Sequence, residues 1–456
     1  MHTRSLMGQA ILIADNDLIA GLYAVNLKGY VDMNVTIQKD IDKAREFLEM
    51  GLNVDAIIIA NSGKVVHAKD VISAFLLQSQ KDIPLVIMGE DPENFPSAFA
   101  TKSLYDLKFM LQTMAKILEI TAKEMAQRPV AKYYPIPCNV LSVIDKISVD
   151  IFIRKKDDEK NFLYHKIASA GADLQNVYEE HKELGTTELF IESEYRLKFI
   201  SLASAEIIKR LTEIVEAPQE KLQLAGHTQG IVAEQIFEDR VVNDEIADIS
   251  NACISAVKDV VKGVPKMKSL LAMLVEDKAD FSYKHSVLAT FVATQIIKKI
   301  SWGSEEQAAK ITFAFFFHDL FLVPILKKYP DATSEEDLLF NGDVSDADKE
   351  IILDHAQMAG EALKSFPKLP MGADMLVTQH HGMANGKGFA VNFKDDISPL
   401  AKVMAISEEI AITILNNQKS GAKQLLNRDQ MMERLHERFR PASYKKIIEA
   451  FAKTSF

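Results

Sequence analysis

The chain has two cysteines, Cys138 and Cys253, in 456 residues. That is too few for a disulfide framework and fits a reducing compartment. No apolar run approaches the ~20 residues that a membrane helix needs. The apolar stretch Ala10–Ala14 stops at Asp15 and does not read as a secretory signal. Positive charge is in deficit, with 53 Lys and Arg against 64 Asp and Glu and a formal net charge of −11. Such a surface repels nucleic acid and anionic lipid, so a phosphate-bearing ligand needs a local positive charge such as a bound metal. Low-complexity segments and internal repeats are also lacking. These absences lead us to expect a cytoplasmic protein with no membrane and no nucleic-acid polymer among its partners.

What is present is enough apolar residue, 48% against 26% charged, to build several cores. The length calls for two to four domains. Over residues 8–127, ILIA (11–14), AIIIA (56–60) and PLVIM (84–88) are short, β-rich and apolar on both faces, which suits strands of a parallel sheet. Amphipathic segments such as 38–51 alternate with them, so the expected fold is a doubly wound α/β domain. Asp15 and Asp17 follow the first strand, and Lys102 lies in ATKSL. With these residues the stretch resembles a bacterial receiver domain, which keeps an acid cluster and a lysine at such places. Ala60 and Asn61 stand where a receiver presents its phosphorylated aspartate, and Gly89 where it has a hydroxyl residue. The resemblance therefore implies a pseudo-receiver with no phosphoacceptor, serving in docking to signalling proteins or in homodimerisation. A flavodoxin-like domain without signalling function remains the alternative.

At Arg128–Pro137 the periodicity stops, and YYPIP reads as a linker. Residues 128–200 then read as a small α+β module. VDIFIR (149–154) and ELFIE (188–192) are its strands, DDEKN (157–161) a hairpin turn, and 172–184 a helix. Tyr164, Lys166, Arg196 and Lys198 could bind a ligand there or form a solvated face. Residues 201–264 read as a helical linker in which Pro218 and Gly226 break the first pattern and 229–262 form one long amphipathic helix. Gly263-Val264-Pro265 then opens an all-α domain over 265–456.

Within that domain ITFAFFFHDLFLV (311–323) reads as a helix apolar nearly all the way round, with His318 and Asp319 in its middle. A buried carboxylate must be paired, protonated or bound to a cation. A lone His–Asp pair is equally a structural hydrogen bond; further inward residues shift that balance. His285 shares a helical face with Ala289, Val292 and Ile296, and His355 with Ile351, Ile352, Met358 and Ala359. His380 and His381 end ADMLVTQHH before a glycine-rich loop (382–388). Glu408 lies on the stripe of Met404, Ala405, Ala411 and Ile412, with Glu409 as its neighbour and alternative. Imidazole with carboxylate is the ligand set of iron, manganese or zinc rather than magnesium or calcium. Asp319, with two oxygens, can bridge two cations. Two divalent ions offset by Asp319 and Glu408 would leave net positive charge for an attacking oxygen and an anionic phosphodiester, as two-metal hydrolysis requires.

The ordered series of His285-Ser286, His318-Asp319, His355 in DHAQMAGEAL, His380-His381 and Glu408 in VMAISE resembles the HD-GYP subgroup of HD-domain phosphohydrolases, over roughly 270–440. The resemblance implies a helical domain with two divalent metals, iron or manganese first and zinc also compatible. It further implies hydrolysis of cyclic di-GMP or a related phosphodiester. It assigns His285, His318, Asp319, His355, His380, His381 and Glu408 as metal ligands, with Asp319 also catalytic. Several positions depart from the family pattern. Leu322 stands where HDIGK has its lysine, and Phe389-Ala390 replace the Tyr-Pro that names the family. Phe281 stands where three-metal members place a glutamate, so two metals are expected. LNNQKSGAKQ lacks the usual arginine-bearing pattern. Lys387 and Lys419 are the substitute substrate-binding positions, each also readable as a surface lysine. A weak or altered phosphodiesterase is therefore expected. An inactive receptor or scaffold that keeps the metal centre is the second expectation.

Overall fold

The computed structural model describes residues 8–50, 54–121, 131–142, 144, 146–156, 162–276, 281–329, 332, 335–419 and 428–454. Contacts divide the chain into two compact units, Met1–Leu211 and Thr212–Phe456. The expected boundaries at 127/128 and 200/201 fall inside the first.

The first unit opens with β1 (Gly8–Ile13), β2 (Met33–Gln38), β3 (Ala56–Ala60), β4 (Leu85–Met88) and β5 (Phe99–Thr101). They form a parallel sheet in the order β2-β1-β3-β4-β5, a doubly wound arrangement. Its centre is sealed on both faces: Ile57, Ile58 and Ile59 have no exposure, which is why that strand carries no alternation. Helices α1 (Asp17–Val31), α2 (Ile41–Glu49), α3 (Ala68–Ser79) and α4 (Leu107–Ile117) alternate with the strands. Asn16 starts α1 by accepting from the Leu18 and Ile19 amides.

A second, antiparallel sheet follows, built from β6 (Tyr133–Pro137), β7 (Ile151–Lys156), β8 (Phe162–Ala168) and β9 (Glu188–Glu192) in the order β6-β9-β7-β8. Helix α5 (Leu174–Glu183) connects β8 to β9. YYPIP, expected as a linker, is strand β6. Its prolines are tolerated because β6 is an edge strand with only β9 beside it. The DDEKN turn lies outside the described residues. Helix α6 (Arg196–Ile214) returns to α1, where Asn26 donates to the Ser204 hydroxyl at 2.8 Å. The Tyr134 hydroxyl donates to the Lys28 carbonyl at 2.7 Å. Gly29 permits this approach, since a Cβ there would lie 2.1 Å from Ile200 Cδ1.

Among its described residues the second unit is helical: α7 (Pro218–Asp239), α8 (Asp244–Gly263), α9 (Met267–Glu276), α10 (Phe281–Ile297), α11 (Glu305–Phe317), α12 (Val323–Lys328), α13 (Glu335–Phe340), α14 (Asp346–Leu363), α15 (Ala373–Thr378), α16 (Pro399–Lys419), α17 (Arg428–Arg438) and α18 (Ala442–Ala452). Helix α10 lies at the centre, packed on α11 and α16. Three expectations for this unit are corrected. Residues 229–262 are two helices: Arg240 adopts a left-handed conformation (φ 60°) that ends α7, and Asn243 caps α8 through the Ile246 amide. Gly226 lies inside α7 without breaking it, while Pro218 is in its first turn, where proline is tolerated. ITFAFFFHDLFLV is also not one helix. It ends at Phe317, turns through His318–Leu322 and restarts at Val323, with Pro324 in the new first turn. No described helix is long and apolar enough to cross a membrane.

The connection between α12 and α14 is pinned by Asp348. Its Oδ2 accepts from Lys328 Nζ at 2.5 Å, the Tyr329 hydroxyl at 2.7 Å and the Ser345 hydroxyl at 2.7 Å. Hydrogen bonds from Lys328, Tyr329 and Ser345 lower the Asp348 carboxyl to about 2. A folded-state value below the unfolded one stabilises at higher pH and is lost as pH falls. Asp348→Asn should lower stability by about 1–3 kcal/mol at neutral pH. In urea titrations, its difference from wild type should shrink as pH drops from about 4 towards 2. A difference that does not change over that window would disprove the assignment.

Candidate metal centre

The geometry starts at the end of α11. A helix leaves its last carbonyls without internal partners, and all of those near His318 are satisfied. The Ala314 carbonyl takes the His318 amide at 2.9 Å, and the Phe315 carbonyl takes His318 Nδ1 at 2.9 Å. Gln229 Nε2 of α7 donates to the Phe316 carbonyl at 2.9 Å, and the Leu320 amide to the Phe317 carbonyl at 3.3 Å. Stopping the helix there turns Asp319 inward beside His318.

The same device recurs at two other histidines. His355 Nδ1 lies 2.6 Å from the Ile352 carbonyl and His380 Nδ1 lies 2.6 Å from the Val377 carbonyl. A carbonyl only accepts, so each Nδ1 carries the proton. In the neutral ring Nε2 then presents a lone pair, the form that binds a metal.

These nitrogens surround Asp319 on two sides. On one, Asp319 Oδ2 lies 3.5 Å from His285 Nδ1 and 3.2 Å from His318 Nε2. Glu408 Oε1 approaches the same pair, at 3.7 Å from His285 Nε2 and 3.8 Å from His318 Nε2. On the other side Asp319 Oδ1 lies 3.6 Å from both His355 Nε2 and His380 Nε2. His381 Nε2 closes in at 3.0 Å from His355 Nε2. Glu335, the first residue of α13, joins this side with Oε1 at 3.1 Å from His381 Nε2 and 3.6 Å from His355 Nε2.

The two groups, His285-His318-Asp319 and Asp319-Glu335-His355-His380-His381, each have ligand atoms mutually within 4.8 Å. Nitrogens and oxygens at about 2.1 Å from a common cation lie about 3–4 Å from one another, so the spacing fits an ion in each group. Hydrogen-bond accounting agrees. His285 Nε2, His318 Nε2, Asp319 Oδ1, Glu335 Oε1 and Glu408 Oε1 are buried with no hydrogen-bond partner. Orphaned buried polar atoms are costly, and a cation supplies what they lack.

Electrostatics point the same way. Burial raises the Asp319 carboxyl, but His318, His285 and His355 outweigh it and hold the group well below its ordinary value. Burial pushes Glu408 well above the carboxylate range, and the negative charges of Asp319 and Glu335 add to that. Burial and neighbouring imidazoles hold His380 and His381 well below the usual imidazole value, so both are neutral. Neutral imidazoles facing crowded carboxylates form a receptor for positive charge.

Of the residues singled out in sequence, His285, His318, Asp319, His355, His380, His381 and Glu408 therefore come together. Glu409 points elsewhere: its oxygens take Arg434 Nε at 2.7 Å and Arg438 Nε at 3.0 Å. Lys387 is exposed and faces Asp354 at 3.6 Å rather than the cluster. The Lys419 side chain lies outside the described residues. Glu335 escaped notice because it opens Glu335-Glu336-Asp337, and three consecutive acids do not reveal which one turns inward. The usable signal was Leu338-Leu339 just behind them, an apolar anchor in a polar stretch. The glycine loop packs closely at Gly386. Gly386 has φ 71°, and a Cβ there would sit 2.8 Å from Thr378 Cγ2 and 2.9 Å from its carbonyl oxygen. The Gly388 amide donates to the Leu353 carbonyl at 2.7 Å.

Neighbouring glutamates should respond oppositely to truncation. Glu409→Ala leaves two half-exposed arginines unpaired and should cost about 1 kcal/mol with or without metal. Glu408→Ala removes a crowded carboxylate, so metal-free stability should hold or rise while stabilisation by added Mn(II) falls. Melting curves with chelator and with Mn(II) separate the two; equal responses would contradict the placement.

No family model and no curated protein matches the chain. A solved structure described as Bd1817, a HDG"Y"P protein from Bdellovibrio bacteriovorus, is similar over 70% of this chain and 99% of that one, at 14% identity and a TM-score of 0.35.

Proposed function

We propose that the chain is a two-metal, phosphodiesterase-like signalling protein of HD-GYP type, directed at cyclic di-GMP or a related phosphodiester. The observation that carries this reading is the convergence of five imidazoles and several orphaned carboxylate oxygens on the two sides of Asp319. The proposed ligands are His285, His318, Asp319 and Glu408 for one cation, and Asp319, His355, His380 and His381 for the other. Iron or manganese suits this set best, and zinc is compatible. Bound there, two divalent ions supply the positive charge that activates an attacking oxygen and steadies a leaving one.

The protein's own contribution is placement. Asp319 sets the spacing by presenting one oxygen to each side. The carbonyls of Phe315, Ile352 and Val377 fix the ring orientations of His318, His355 and His380. Burial excludes water and strengthens every charge interaction in the site.

A second reading, a receptor or scaffold that keeps the metals without turnover, is favoured by Leu322. It stands where HD-GYP proteins carry a lysine, and it is 1% exposed in an apolar cluster. Losing a charge-assisted contact that strengthens in the transition state costs roughly 10²–10³ in rate. The expected activity is correspondingly weak or altered.

For the rest of the chain we propose a pseudo-receiver over 8–127, a small module over 128–200, a helical connection over 201–264 and the metal domain over 265–456. In the first segment the acids that would hold a cation are engaged locally. Asp15 accepts the Lys64 amide at 2.7 Å, Asp17 pairs with Lys39 at 2.5 Å, and Lys102 pairs with Asp91 at 2.8 Å. The role we propose for this segment is docking to signalling proteins or homodimerisation.

Chromatography of cyclic di-GMP incubated with Mn(II)- or Fe(II)-loaded protein is the test. Slow production of linear pGpG or GMP, abolished by Asp319→Ala, is expected. Binding without turnover would select the receptor, and neither binding nor turnover would reject both. Acetyl phosphate should label no aspartate in residues 8–127.

A further inference from the structure

Glu335 lies outside the series that defines the metal constellation in sequence, yet α13 delivers its carboxylate into the cluster. The helix is well anchored. Leu338 is fully buried and packs with Leu322, Ile325, Val344 and Ile352, and Leu339 joins that cluster. Phe389 belongs to the same cluster and rests against His381, with ring centroids 4.4 Å apart. Asp348 ties Lys328 and Tyr329, before α13, to Ser345 after it. Packing therefore fixes where the first residue of α13 points. Its Oε1 is buried, has no hydrogen-bond partner, and faces His381 Nε2 at 3.1 Å and His355 Nε2 at 3.6 Å. A buried, unpartnered oxygen at these distances from two ring nitrogens has the spacing of ligands around a shared cation.

We infer that Glu335 is a further protein ligand of the cation held by Asp319, His355, His380 and His381, and that it leaves an anionic oxygen a single position on that cation. This rests on the two-metal reading above. Five protein ligands would leave about one open place on a six-coordinate iron or manganese ion bound on this side, while His285, His318, Asp319 and Glu408 would supply four ligands on the other. Leu322, Phe389 and α13 then act together: apolar packing holds a carboxylate at the metal where a cationic side chain would otherwise greet phosphate.

The test uses full-length wild type, Glu335→Gln and the shorter Glu335→Asp, each loaded with Mn(II) and dialysed against graded chelator. Metal per chain and the electron paramagnetic resonance spectrum are read together. Wild type should hold two ions with a spin-coupled signal. Glu335→Gln should lose one ion at a chelator concentration roughly tenfold or more lower, leaving the six-line signal of an isolated ion, and Glu335→Asp should fall between. Inorganic phosphate should perturb the coupled spectrum of Glu335→Asp at lower concentration than that of wild type. Identical release and coupling in all three would overturn the inference while leaving the two-metal reading intact. Wild type that never holds two ions would overturn that reading itself.

Discussion

The structure of the second unit depends on one buried carboxylate with imidazoles on both sides. Asp319 is 6% exposed, and a charge in that position is tolerable only if positive charge meets both of its oxygens. Three separate helix regions bring an imidazole whose Nδ1 is spent on a carbonyl three residues back. That local bond turns an ordinary buried histidine into an oriented lone pair. The apolar helices around the site, α10 and α11 above all, prevent water from satisfying the cluster instead. Packing, hydrogen bonding and charge therefore lead to the same conclusion, that the cluster could hold cations.

Around this centre, two of the residues that differ from the HD-GYP pattern are neighbours in space. Leu322 and Phe389 share one apolar cluster with the helix that carries Glu335. On the proposed reading, a leucine in the place of the lysine and the carboxylate of Glu335 both weaken the pull on a phosphodiester, which is why a receptor stands beside the enzyme as a reading.

Much of this was legible in the residues, and the failures have definite causes. Helical spacing placed His285, His355 and Glu408 on inward faces, because apolar periodicity records which side of a helix is buried. The same periodicity cannot show where a uniformly apolar run stops, so the turn at His318 was invisible in ITFAFFFHDLFLV. YYPIP looked like a linker because proline disfavours strands in general, and nothing local reveals that β6 would be an edge. The break at residues 240–243 was signalled by Asn243, whose capping role needs the three-dimensional helix start to be recognised. Glu408 and Glu409 are adjacent and chemically equal. Only the distant pair Arg434 and Arg438 decides between them. Glu335 stands among three consecutive acids, and the packing of Leu338 and Leu339 behind them decides which one turns inward.

The central claim is that two cations lie on opposite sides of Asp319. Anomalous diffraction from crystals grown with Mn(II), collected at the metal's absorption edge, tests it most directly. The account predicts two peaks flanking the Asp319 carboxylate about 3.5–4 Å apart, one within bonding distance of His285 and His318 and the other of His355, His380 and His381. A map with no peak at the carboxylate, and the histidines hydrogen-bonded only to protein, would contradict it.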